Sequence, residues 1–182
     1  MAFKLTSTRC EEIKKTVVCT FEKLNIRSVP ISGFEMATKL NAVIVPYSSK
    51  SEKARILMLK ESEDGFSVKK DGTWYIFYND TKCYGRINNT LAHECGHIVL
   101  DHTEESELAE AEANFFAKYA LAPPALIDKL KCENAYDVYI HFDISLEAAY
   151  YAFSYYRKWQ IYGNVNYTDY EIRLLRLFTE AA

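Results

Sequence analysis

Apolar positions recur at helical spacing over most of the chain and turn strand-like only between residues 41 and 79, predicting helices around one small patch of strands. Residues 10–24 read as an amphipathic helix, and residues 33–40 as a short second one. Residues 41–47 are strand-like, and 53–60 fit either state. Residues 65–79 read as two strands joined around Lys70-Asp71-Gly72-Thr73, where Asp-Gly suits a tight hairpin turn. From Thr90 onward everything reads as helical. In residues 90–101 the apolar side chains Leu91, Ala92, Cys95, Ile98, Val99 and Leu100 surround the axis, as in a buried helix, behind the N-cap candidates Asn88, Asn89 and Thr90. A further helix over 108–121 is stopped by Pro123-Pro124, and another begins near Ser145. A small antiparallel sheet of about three strands packed on a mainly helical body makes the expected class α+β. The expected organisation is one domain over 1–182: helical 1–40, sheet 41–80, paired helices 88–124 and C-terminal helices 125–182.

Composition narrows the function classes. A chain of 182 residues, 49% apolar, has material for a core. A net charge of −3 without a lysine or arginine stripe argues against direct nucleic-acid binding. Apolar runs fall short of the ~20 residues that span a bilayer. Residues 1–19 are broken by Lys4, Arg9, Glu11, Glu12, Lys14 and Lys15, leaving no signal-peptide core. Five cysteines without a CxxC spacing argue for a reducing compartment, so the expectation is a cytoplasmic protein without membrane attachment. The helix after Ser145 carries Tyr150, Tyr151, Phe153, Tyr155, Tyr156, Trp159 and Tyr162, more aromatics than one buried stripe requires. Core packing and a protein-contact surface both remain open for them.

The chemistry concentrates at His93-Glu94-Cys95-Gly96-His97, which fits H-E-x-x-H, the zinc-protease pattern. On a helix, residues four apart lie on one face, so both imidazoles can reach a single metal ion. Glu94 is turned about 100° from that stripe, within reach of a water held at the ion but not itself a ligand. That is the position of a catalytic base. A buried helix carrying two histidines and a glutamate needs partners for them, because an unsatisfied polar group there costs about 1–3 kcal/mol.

A catalytic zinc takes three protein ligands, so a third donor is needed. Within the acidic run after the helix, Glu110 shares its stripe with Ala113, Asn114 and Ala117, whereas Glu112 shares its own with Phe115, Phe116 and Tyr119. Small neighbours let the Glu110 face approach the histidine helix, and Asn114 could hydrogen-bond a ligand imidazole and fix its orientation. Glu110 is the expected third ligand, with Glu112 and then Glu107 as alternatives. Tyr78, Tyr84, His102 and His141 are chemically able to stabilise an oxyanion. The run 73–78 could accept an extended peptide if it forms a sheet edge, with Tyr78 as the substrate-binding candidate. Gly96, costly inside a helix, suits a close approach of that strand.

These residues resemble the ImmA/IrrE-type metallo-endopeptidases, the M78 peptidase family. The similarity runs through Ser62-Glu63-Asp64-Gly65-Phe66, Trp74-Tyr75-Ile76-Phe77-Tyr78-Asn79-Asp80 and Arg86-Ile87 into the stretch from Thr90 to Leu100. It continues in Glu110-Ala111-Glu112-Ala113-Asn114-Phe115-Phe116-Ala117 with Leu121-Ala122-Pro123, and more weakly in Phe142-Asp143-Ile144-Ser145 with Ala148 and Ala149. Cys95 departs from the aliphatic residue usual in the family. The resemblance places the third ligand on Glu110 and implies a zincin-like fold, bound Zn2+ and endopeptidase activity. The substrate it implies is a helix-turn-helix repressor whose cleavage releases mobile-element or stress genes. The competing expectation is a regulatory binding protein that contains zinc and sequesters its repressor uncut.

Overall fold

A computed structural model describes residues 3–163 and 166–179. The chain runs through α1 (Ser7–Leu24), α2 (Gly33–Lys39), β1 (Val43–Pro46), α3 (Glu52–Glu61), β2 (Gly65–Lys70), β3 (Thr73–Tyr78) and α4 (Tyr84–Val99). It continues through α5 (Glu107–Leu121), α6 (Pro124–Lys129), α7 (Ala135–Phe142), α8 (Leu146–Tyr162) and α9 (Asp169–Leu177). The class is α+β. Two compact units divide it, one built on Ser32–Ala117 and the other on Lys4–Ile31 with the chain from Lys118 onward. Among the described residues no helix is long and apolar enough to cross a membrane.

In the first unit the sheet has the order β1-β3-β2. The β2–β3 pair is the expected hairpin, turning at Asp71 and Gly72 with φ of 50° and 80°, the positive pair that a tight hairpin turn requires. Two expectations are corrected here. The sheet is mixed rather than antiparallel, because β1 pairs parallel to β3, Val43 opposite Tyr75. The chain reverses through α3 and β2 before β3 returns in the direction of β1. Strand β3 is therefore central, so the stretch expected to offer an edge to a peptide already has both sides paired, and the outer strands are β1 and β2. The ambiguous segment becomes α3, with Ser51 accepting from the Ala54 N–H at its start and no residue buried.

Helix α4 begins at Tyr84, earlier than its predicted cap residues, behind Cys83. Asn88 lies inside it, and its Oδ1 accepts the N–H of Gly33 at 2.6 Å, satisfying an unpaired donor at the start of α2 instead. Close approaches fix α4. A Cβ on Gly65 would come within 2.7 Å of Thr90 Cγ2, so β2 lies against the helix with no room for a side chain. Gly96 does the same for α5. A Cβ there would stand 3.2 Å from Ala113 Cα and 3.1 Å from Phe116, so this glycine serves the approach of α5 rather than of a strand. Leu91, Ala92 and Cys95 are fully buried, and each large apolar side chain so placed contributes about 1.5–3 kcal/mol.

The second unit has its core at Val17, Phe21, Leu126, Val138, Phe142 and Leu174. Its aromatics divide into two populations. Tyr156, Trp159 and Tyr167 form a stacked ladder whose hydroxyls on Tyr156 and Tyr167 donate to Asp128. Tyr150, Tyr151 and Tyr162 are exposed. Ser145 caps α8 as expected, accepting from the Ala148 N–H.

Candidate metal centre

His93 and His97 stand one turn apart on α4 with their Nε2 atoms 3.0 Å from each other. Glu110, in the first turn of α5, completes a triangle, its carboxylate oxygens 3.5 Å from His93 Nε2 and 3.2 Å from His97 Nε2. The sequence gives this geometry its cause. Residues 93 and 97 share a stripe by helical period, and Gly96 against Ala113 brings α5 near enough for Glu110, three residues earlier, to face them. Neither Glu107 nor Glu112 joins the triangle.

The donor set fits a divalent cation. Ligands about 2.0–2.2 Å from a tetrahedral zinc stand about 3.3–3.5 Å from one another, close to the three separations found here. Two bare Nε2 atoms 3.0 Å apart and facing a carboxylate repel, and a cation among them removes that repulsion. Among the described residues, these three form a group that could hold a metal ion. Both rings favour the neutral form that ligation needs. Burial holds His93 down to about 4 against the opposing influence of Asn114, and His97 is lowered to about 4 by burial and then by the neighbouring His93. Asn114, the candidate for orienting an imidazole, donates its Nδ2–H to the Glu110 carbonyl at 2.8 Å, and its side chain opposes the lowering of the His93 pKa. Glu110 is the open side, with 53% of its side chain exposed.

Glu94 is buried and outside the triangle. Ser67 Oγ donates to its Oε2 at 2.7 Å. Burial raises its pKa to about 7, with the Ser67 bond pulling down and the Glu110 charge pushing up. A carboxylate poised there suits proton transfer near neutrality. Cys95 is buried on the opposite side of the motif and its thiol is pushed well up by burial.

Other expected residues stand outside the triangle. Tyr78 ends the central strand and packs edge-on against Phe34 at 5.5 Å, where it serves the contact of α2 with the sheet. Tyr84 is the first residue of α4, nine positions before His93, about 13 Å along the axis. His102 is engaged through both ring nitrogens: Nδ1 lies 3.0 Å from His97 Nδ1, and Nε2 lies 3.0 Å from Glu112 Oε2. This pairing and Ser67 were missed from the sequence. Strand alternation was the available signal for Ser67, since it puts Gly65 and Ser67, both small, on one face of β2. For His102 and Glu112, ten residues apart, none existed.

A search of curated proteins finds no match to the chain. A family model, Peptidase_M78, described as the IrrE N-terminal-like domain, matches residues 50–154, which takes in β2, β3, the paired histidines and Glu110. That span is more than half of the chain, and the protein belongs to the M78 peptidase family.

Proposed function

We propose that the protein is a zinc-dependent endopeptidase of the cytoplasm that cleaves a helix-turn-helix repressor and so relieves repression. The observation that carries the hydrolytic part is the triangle of His93, His97 and Glu110 beside a buried, non-ligating Glu94. A purely structural metal site has no use for such a carboxylate. His93, His97 and Glu110 would hold the ion. When bound, zinc supplies Lewis acidity, lowering the pKa of water toward about 7 and polarising a carbonyl. Glu94 would accept the water proton and pass it to the leaving amine, and Ser67 holds one of its carboxylate oxygens by a hydrogen bond. Strand β2 carries Ser67 and is an outer strand, so its unpaired edge is where an extended peptide would add by backbone hydrogen bonds. This moves the docking element from β3 to its neighbour.

The repressor substrate rests on the family resemblance. The test mixes the purified zinc-loaded protein with a candidate helix-turn-helix repressor and measures product masses. One pair of fragments is expected, absent with Glu94→Gln although zinc is retained. Cleavage that survives Glu94→Gln overturns the mechanism, and a repressor that co-purifies uncut supports sequestration instead.

A further inference from the structure

The His97 imidazole has two nitrogens, and the metal centre uses only Nε2. Its Nδ1 faces the Nδ1 of His102 at 3.0 Å, and the Nε2 of His102 faces Glu112 Oε2 at 3.0 Å. The side chains of His102 and Glu112 are 11% and 7% exposed, so water competes little for these bonds. Local backbone geometry puts His102 there. Asp101 takes φ of 54°, its N–H donates to the Ile98 carbonyl and the His102 N–H donates to the His97 carbonyl at 3.0 Å, the left-handed closure that ends a helix by folding the next residue back over its last turn.

With Glu112 ionised and both imidazoles neutral, one arrangement of protons fits this row. An ionised carboxylate can only accept, so His102 carries its proton on Nε2. Its Nδ1 is then a bare acceptor, and the facing Nδ1 of His97 must donate. A neutral His97 with its proton on Nδ1 presents a lone pair on Nε2, on the side of Glu110 and His93. We propose that His102 and Glu112 are positioning residues that set the tautomer and orientation of His97 for metal binding, a relay of two imidazoles ending on a buried carboxylate. The proposal rests on the metal-centre reading and adds to it two residues that touch neither ion nor substrate.

A ligand histidine whose other nitrogen loses its partner typically loses 10–100-fold in metal affinity. Zinc affinity is measured by chelator competition on the full chain, with the thermal midpoint of the metal-free protein recorded for each variant. His102→Ala is expected to weaken zinc binding at least tenfold and Glu112→Gln by several-fold, with the double variant no weaker than His102→Ala. An open surface pocket of about 230 Å³ lined by His102, Thr103, Ser106 and Glu112 adjoins the relay, so free imidazole can enter where the ring was removed. Added imidazole is expected to restore most of the affinity of His102→Ala and to leave Glu112→Gln unchanged, a rescue that mere loss of packing would not give. Variants that bind zinc as tightly as the parent overturn the relay alone. A parent that takes up no zinc overturns the metal-centre reading, and the relay with it.

Discussion

Glu94 and Glu171 are both removed from water, 5% and 3% exposed, one in each unit, yet their surroundings have opposite logic. Glu171 sits in the first turn of α9, where the helix dipole favours negative charge. Its carboxylate accepts from the Trp159 indole at 2.7 Å and from the Thr168 N–H and hydroxyl, each at 2.8 Å, closing a capping box. Glu94 lies mid-helix, leans on Ser67 and feels the charge of Glu110. A fully engaged carboxylate holds structure together. One left with a single supporting residue and raised to about 7 is poised to exchange a proton.

Exchanging each carboxylate separates the two roles most sharply. Glu94→Gln should lower peptide hydrolysis by about 100-fold or more while zinc content and urea midpoint stay unchanged. Glu171→Ala should do the reverse, costing about 1–3 kcal/mol in urea unfolding because the indole and Thr168 donors lose their acceptor, with turnover per folded molecule retained. Ser67→Ala removes the hydroxyl that holds Glu94 and should lower kcat about tenfold with KM little changed, which steady-state kinetics can read. A large KM effect with constant kcat would instead assign Ser67 to substrate binding. Gly96→Ala tests the helix approach behind the triangle. Its methyl must displace Ala113 backbone or the Phe116 ring, so a loss of about 1–2 kcal/mol and weaker zinc binding are expected despite the better helix propensity of alanine.

The smallest effect lies at a surface pair. Arg86 holds two bonds to Asp64, which keeps the Asp64 carboxyl below its usual range. A folded pKa below the unfolded one means stabilisation that is present above the unfolded pKa and fades as pH falls through the folded one. Both side chains are partly exposed, so Asp64→Asn should cost less than about 1 kcal/mol at pH 7 and nothing measurable at pH 2, by urea titration at the two pH values.

The same contrast explains what was legible beforehand. His93, Glu94 and His97 follow from helical period, and Glu110 from the small residues sharing its stripe, because these are relations within one helix. Helices α1, α2, α5 and α8 follow for the same reason. The order of the strands, the parallel pairing of β1, the use of Asn88 to cap another helix and the meeting of His102 with Glu112 depend on how elements meet in space. A three-strand sheet reads identically in periodicity whichever strand is central. Gly96 shows both sides: its need for a near neighbour was legible, but the neighbour is α5.

The left-handed residue at Asp101 makes the spacing from His97 to His102 a fixed ruler. Inserting or deleting one amino acid in that interval would preserve the five-residue zinc pattern letter for letter but aim the second imidazole elsewhere, leaving His97 free to choose its proton. Chains that share the pattern but not the interval are thus expected to hold their metal more loosely, and the length of this short reversal is something a sequence comparison can measure directly.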